Sequence, residues 1–228
     1  MKKLLFLFIA TAFFYACPIE LDDDDSEFCN KGWANFEIPV SFIPADGIIH
    51  LGDTITIFST IKDTMRDLDH NELYFFDSVK FYLHSGFTKI DTFNGSNITS
   101  SVKLFDYIID TAKYDFQVGK VSVIFEYEYK NHEYSITYKV IPKYKGVFIF
   151  EFFSDLLNLN NLEKKPIYAK AIDCETTKWN VRFKTNNGKN NNREFLKLSP
   201  LKRYNSYYYN AWSRNNNVFG AHCFKVVE

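Results

Sequence analysis

The stretch VSVIFEYEYKNHEYSITYKV, residues 121–140, has the clearest strand pattern in the chain. Every second side chain from Val121 to Tyr129 is apolar, which is the two-residue period of a half-buried strand. A two-residue turn at Asn131-His132 would place the apolar sets of both arms on one face and the charges on the other. The cross-strand pairs would be Tyr129 with Tyr134, Tyr127 with Ile136 and Phe125 with Tyr138. The stretch therefore predicts an antiparallel hairpin.

Other short segments along the chain also have strand-like sequences bounded by polar turns. These segments are 35–43, 53–61, 77–85, 101–109, 146–153, 165–172, 178–185 and a closing strand at 221–227. Segment 193–214 predicts a helix broken near Pro200, and the asparagines of 186–193 indicate a loop. The 24 Phe and 15 Tyr favour strands. We predict an all-β fold, an immunoglobulin-like antiparallel β-sandwich with a short C-terminal helical segment.

The N-terminus has the pattern of an export signal. Lys2 and Lys3 precede an apolar run from Leu4 to Tyr15, which is too short to span a bilayer. Two cleavage sites fit. FYAC at 14–17 resembles a lipobox that makes Cys17 the lipidated first residue, whereas ATA at 10–12 suits ordinary signal peptidase and leaves Cys17 a thiol. With the lipobox, we expect a signal peptide at 1–16, an acidic tether at 17–32 and a single sandwich domain at 33–228.

The acidic run Asp22, Asp23, Asp24 and Asp25 raises the question of a metal site. A calcium loop starting at Asp22 would need Gly at position 27 and Glu at position 33, where the chain has Glu27 and Trp33. The stretch DLDHNE at 67–72 fails the same spacing test and is interpreted as a polar loop. We therefore predict no metal and a hydrated, extended tether.

This N-terminus resembles that of Bacteroidetes-type surface-exposed outer-membrane lipoproteins. Ala16 and Cys17 match the end of the relaxed lipobox, and Asp22–Asp25 match the acidic sorting signal. Phe14 and Tyr15 depart from its usual residues, and the acids lie further from the cysteine than usual. LGDTITIFSTI at 51–61, DLDHNELY at 67–74 and the strand from Gly146 resemble an uncharacterised family of such lipoproteins. The resemblance implies a lipid anchor in the outer membrane, facing the cell surface or, alternatively, the periplasm.

Four cysteines constrain the possible disulfides. If Cys17 carries lipid, one bridge can form among Cys29, Cys174 and Cys223, and one thiol is left over. If Cys17 is a thiol, two bridges can form in three connectivities. The pairing stays open, and the absence of a CxxC spacing argues against zinc.

Catalytic signatures are missing from the sequence. It contains no G-x-S-x-G elbow, no HExxH, no phosphate-binding loop and no dinucleotide fingerprint. Glu126 and Glu128 lie two residues apart, as expected for a solvated sheet face. The net charge of −1 does not suggest a nucleic-acid partner. We predict a protein that is not an enzyme and has no cofactor.

One aromatic stripe has two interpretations. Tyr204, Tyr207, Tyr208 and Trp212 recur at the spacing of one helix face. Such stripes usually pack onto a core, which is the favoured interpretation. The alternative is an aromatic platform for a glycan.

Four sites resemble the D-[ST]-hydrophobic motif for O-glycosylation in exported Bacteroidetes proteins. The acceptors would be Thr54, Thr64, Ser78 and Thr111.

The sequence as a whole predicts a lipid-anchored envelope lipoprotein, held to the membrane by its N-terminal lipid, that acts as a non-enzymatic binding module for a glycan or another envelope protein. The alternatives are a glycan-binding accessory protein and, less favoured, an envelope hydrolase.

Overall fold

Fifteen strands account for most of the chain that the structure describes. The computed structural model describes residues 33–76, 80–92, 101–109, 113–116, 122–153, 167–168, 178–189, 191–208 and 220–228. Within these ranges the strands are β1 Trp33–Ile43, β2 Ile48–His50, β3 Ile55–Lys62, β4 Thr64–Arg66, β5 Leu73–Phe75, β6 Tyr82–Lys89, β7 Phe105–Ile109, β8 Lys113–Phe116, β9 Ser122–Glu126, β10 Glu128–Lys130, β11 Glu133–Pro142, β12 Gly146–Phe153, β13 Ile167–Tyr168, β14 Lys178–Thr185 and β15 Ala221–Val227.

The strands form two main sheets that face each other. The first sheet has the order β10–β11–β3–β1–β14, with β7 beside the second half of β11. The second sheet has the order β2–β15–β12–β6–β9–β8, and β13, β5 and β4 form a small third sheet. Pairing is antiparallel except for β1 with β14 and β15 with β2. The predicted mainly antiparallel β-sandwich is confirmed.

Helical structure is short, as expected for this fold class. A single turn, α1, spans Ser101–Leu104, and 3-10 turns span Asn186–Gly188 and Arg193–Leu198. A π-helical segment at Arg203–Tyr208 follows. The predicted C-terminal helical segment is therefore present, and it is divided in two around Pro200 because proline cannot supply the N–H that a continuous helix needs. No helix in the described part of the chain is both long and apolar enough for a bilayer span.

The predicted hairpin at 121–140 forms only at its tip. Glu128, Tyr129 and Lys130 pair with Ser135, Tyr134 and Glu133, as predicted. The rest of the first arm, β9, leaves the first sheet and pairs with β6 and β8 of the second. β11 has no free edge for β9 because β3 lies along one side of it and β7 occupies the second half of the other.

The alternate apolar side chains of this stretch nevertheless face the core, because its strands belong to two sheets that face each other. Phe125, Tyr127, Tyr134, Ile136 and Tyr138 are all buried. Phe125 does not pair with Tyr138 in a ladder; the two rings stack across the sandwich with centroids 4.1 Å apart. The chain crosses between sheets at Tyr127, so Glu126 and Glu128 belong to different sheets.

Aromatic rings from both sheets fill the space between them. Phe42 of β1 meets Phe150 of β12 edge-on at 5.1 Å, and Phe105 of β7 meets Phe148 of β12 at 5.2 Å. Such ring pairs add about 0.5–1.5 kcal/mol each beyond their burial. The strand alternation therefore builds one continuous inner core.

Candidate functional site

The two outer faces of the sandwich differ in what covers them. On the second sheet, the 3-10 turn and the π-helical segment pack Leu196 and Tyr204 onto Val147, Ile149 and Cys223, and all five side chains are buried. On the first sheet, the outward side chains of β3 and β11 are half-buried or exposed. The first sheet therefore has an outer face that a partner could reach along β3 and β11.

The centre of this outer face is one aromatic ring surrounded by hydroxyl groups. Cross-strand register places Ser41 of β1 and Thr137 of β11 on either side of Phe58 of β3. Thr56 and Thr60 precede and follow Phe58 on the same face of β3. Ser135 lies opposite Thr60. We call this set the open face: Ser41, Thr56, Phe58, Thr60, Ser135 and Thr137.

One edge of the open face carries exposed aliphatic side chains. Ile43 and Lys139 are both opposite Thr56, and Ile108 is opposite Lys139, so the four form one row. Ile43 is 58% exposed and Ile108 is 42% exposed. The row extends the accessible surface beyond the hydroxyl groups.

Charges around the open face are mostly compensated within the protein. Three lysine–carboxylate pairs lie on the strands or loops that border it: Lys62 with Glu133 at 2.8 Å, Lys184 with Glu37 at 2.9 Å and Lys143 with Asp106 at 2.8 Å. Such exposed pairs contribute little stability. Their effect is to leave the centre of the face electrically neutral.

Asp63 joins three elements at one end of the sandwich. Its carboxylate accepts hydrogen bonds from His132 Nδ1 at 2.8 Å, the Tyr129 hydroxyl at 3.0 Å and the Thr64 hydroxyl at 3.1 Å. Burial by itself would raise the pKa of Asp63, but these hydrogen bonds outweigh burial and lower it. Asn131 and His132 have φ of 52° and 62°, the left-handed geometry of a tight hairpin turn. Asp63 thus fixes the turn.

A second carboxylate, Asp67, organises the neighbouring loop. It is completely buried and accepts hydrogen bonds from the backbone N–H groups of Asn35 at 2.8 Å, His70 at 3.1 Å and Asp69 at 3.2 Å. His70 Nδ1 lies 2.5 Å away. Burial opposes ionisation, but the hydrogen bonds prevail and lower the pKa of Asp67. Loop 67–72 is therefore an ordered structure around one buried charge.

Sequence reasoning missed both carboxylate clusters and the open face. It treated 67–72 as a polar loop because the partner Asn35 is distant in sequence. A usable signal was present in DTITIFSTI at 53–61, where threonines and Phe58 alternate with isoleucines and Ser59. Metal binding is not indicated: across the described ranges, no group of three or more metal-ligating side chains occurs.

The aromatic stripe at 204–212 is only partly described. Tyr204 is 4% exposed and packs in the cluster beneath the C-terminal helical segment, as the packing interpretation expects. Tyr207 and Tyr208 belong to the π-helical segment, but their side chains are outside the described part, as is Trp212. A platform built from these three side chains stays a prediction.

The remaining predicted sites fall in different environments. Thr54 is exposed just before β3, whereas Thr64 is half-buried against Asp63. Thr54 is therefore more accessible than Thr64 for modification.

Cys223 is a buried free thiol whose pKa is raised by burial. Cys17, Cys29, Cys174, Asp22, Asp23, Asp24, Asp25, Ser78 and Thr111 lie outside the described residues, so lipidation, sorting and disulfide pairing stay predictions.

Comparison with known proteins gives only distant likenesses. No family model and no curated protein matches the chain. The second type II cohesin module of the Acetivibrio cellulolyticus adaptor ScaA scaffoldin is 6% identical over 64% of this chain and 92% of that module, with a TM-score of 0.33.

Two further solved structures are also distant. A human F-spondin reeler domain is 13% identical over 61% of this chain and 87% of its own, with a TM-score of 0.31. A conjugative transposon lipoprotein from Bacteroides eggerthii is 12% identical over 57% and 92%, with a TM-score of 0.17. The β-sandwich assignment accordingly rests on the two sheets themselves.

Proposed function

We propose that this protein is a non-enzymatic binding module, held by a lipid at Cys17 in the outer membrane and displayed at the cell surface. The observation that carries the proposal is the contrast between the two outer faces. One is covered over β12 and β15 by the chain's own C-terminal helical segment, and on the other Phe58 and four hydroxyl side chains are half-buried and Thr60 is exposed. Its partner is a glycan or another envelope protein.

The carboxylates of the described residues support a non-enzymatic role. Asp63 and Asp67 have lowered pKa values, but their oxygens are occupied by hydrogen bonds that hold a turn and a loop together. Glu126 and Glu128, the pair that sequence places together, belong to different sheets. A glycoside hydrolase would need two carboxylates opposed across a substrate, and these four described carboxylates do not form such a pair.

The place where the tether would join the sandwich suits display of the open face. β1 begins at Trp33, and the backbone of Asn35 bonds to Asp67 at the end of the sandwich that also holds Asp63. The open face lies along the side of β3 and β11. A tether at 17–32 would therefore leave this face clear of the membrane surface.

The lipid anchor is tested by metabolic labelling with a fatty-acid analogue. We expect label on the wild-type chain and none on Cys17→Ala, because lipidation uses that sulfur and two or three acyl chains anchor firmly at about 0.8 kcal/mol per methylene. Cys29→Ala is the matched control and should stay labelled. Label that persists on Cys17→Ala would show that the anchor assignment is wrong.

The binding role is tested by photo-cross-linking in intact cells. A photoreactive amino acid replaces the exposed Thr60 on the open face or, as a control, the exposed Lys197 on the segment that covers the second sheet. We expect adducts from position 60 and few or none from position 197. Equal yields at both positions, or none at position 60, would contradict a binding role for the open face.

A further inference from the structure

We propose that the open face binds an uncharged polysaccharide, with the Phe58 ring as the stacking surface and the flanking hydroxyl groups as hydrogen-bonding partners. This inference rests on the proposed binding function and names the chemical class of the ligand. It does not use the predicted platform at 204–212.

The geometry of the open face is regular. Neighbouring strands lie about 4.8 Å apart, and alternate residues of one strand lie about 6.8 Å apart. Phe58 therefore has a hydroxyl side chain next to it in all four directions: Ser41 and Thr137 across the strands, Thr56 and Thr60 along its own strand. The neighbours are shorter than phenylalanine, and the ring stays only half-buried.

This arrangement matches the two kinds of surface on a neutral sugar. The C–H face of a sugar ring is apolar and can lie on an aromatic ring. Its edge carries hydroxyl groups, which both donate and accept hydrogen bonds, as serine and threonine hydroxyls do. A phenylalanine ring surrounded by hydroxyl groups can therefore contact both the apolar face and the polar edge of a sugar.

Charge complementarity selects an uncharged ligand. The centre of the open face, around Phe58, carries no charged side chain. Lys139 lies at its edge opposite Thr56, and the bordering lysines Lys62 and Lys184 are paired with Glu133 and Glu37. An acidic polysaccharide would find no concentrated positive potential at this centre. A protein partner would find exposed aliphatic side chains only at the edge, in Ile43 and Ile108, because the centre of the open face is one phenylalanine surrounded by hydroxyl groups.

The test measures polysaccharide binding by the full chain in detergent. The probes are three neutral polysaccharides (dextran, laminarin and galactomannan) and one acidic polysaccharide, polygalacturonate, in affinity electrophoresis followed by calorimetry. We expect at least one neutral polymer to bind, with Phe58→Ala weakening it about tenfold, the loss of roughly one stacking contact. Phe58→Tyr should retain binding, and Thr137→Val should weaken it about threefold by removing one hydroxyl while keeping the shape.

Tyr144→Ala is the matched control, because Tyr144 is an aromatic residue 53% exposed in the loop between β11 and β12 and is not part of the open face. Its removal should leave affinity unchanged. Failure of all neutral polymers to bind, binding of polygalacturonate alone, or equal losses for Phe58→Ala and Tyr144→Ala would overturn the proposal. If a photo-adduct at position 60 is a protein and no glycan binds, the binding role survives and the polysaccharide assignment fails.

Discussion

Phe150→Ala is expected to lower the free energy of unfolding by about 3–5 kcal/mol, the usual cost of removing a buried aromatic ring. Phe150 is completely buried. Its ring lies 5.1 Å from Phe42 of the first sheet and 4.3 Å and 4.5 Å from Phe87 and Phe152 of the second. Truncation would open a cavity where the two sheets meet, and the surrounding rings cannot fully close it.

Equilibrium denaturant unfolding measures this loss, and Phe58→Ala provides the matched control. The chemical change is the same, but Phe58 is half-buried on an outer face, so we expect a loss of about 1 kcal/mol or less from its smaller buried area. Similar losses for the two variants would mean that Phe150 does not occupy the centre of the core.

Asp67→Asn is expected to lower the free energy of unfolding by about 3 kcal/mol, the second-largest effect. Three backbone N–H groups and the His70 ring converge on this buried carboxylate. The amide is nearly the same shape, but it carries no charge and replaces one acceptor oxygen with a donor. At least one buried N–H would therefore face another donor.

The same substitution should change how the free energy of unfolding depends on pH in acid. The pKa of Asp67 is lower in the folded protein than its ordinary value, so its ionised form favours folding. That contribution is fully present above the unfolded-state pKa of about 4 and is lost as pH falls through the lower folded-state pKa. Asp67→Asn should unfold with a weaker pH dependence below about pH 4.

Asp53→Asn is the control for both measurements. Asp53 is exposed and accepts one hydrogen bond from the His50 backbone at 2.9 Å, so its replacement should cost less than about 1 kcal/mol. An Asp67→Asn variant with wild-type stability and acid dependence would show that the buried carboxylate does not organise loop 67–72.

Strand positions followed directly from the sequence where a local pattern was strong. Segments 146–153, 178–185 and 221–227 are the strands β12, β14 and β15 with the predicted bounds. The tight turn at Asn131-His132 was also predicted, and both residues have positive φ. These features depend on side-chain alternation and on turn chemistry within a few residues.

Partner choice did not follow from local patterns. The sequence paired the whole first arm of 121–140 with β11, yet only residues 128–130 pair there. Alternation identifies which side chains of a strand face the core. It does not identify the sheet to which the strand belongs, because both sheets of a sandwich bury their inner faces against the same core. The chain crosses to the second sheet at Tyr127, and β3 and β7 occupy the edges of β11 that the rest of the first arm would need.

By itself, the sequence determined the β class and the strand alternation, since both depend on neighbouring residues, and export and lipidation stay predictions from the N-terminal pattern. Tertiary structure alone decided which outer face is covered and which carboxylates are buried. Asp67 meets Asn35, and Phe58 comes to lie between Ser41 and Thr137, only through contacts between residues far apart in the chain. Such contacts form because burial of the shared core compensates for the entropy of closing long loops.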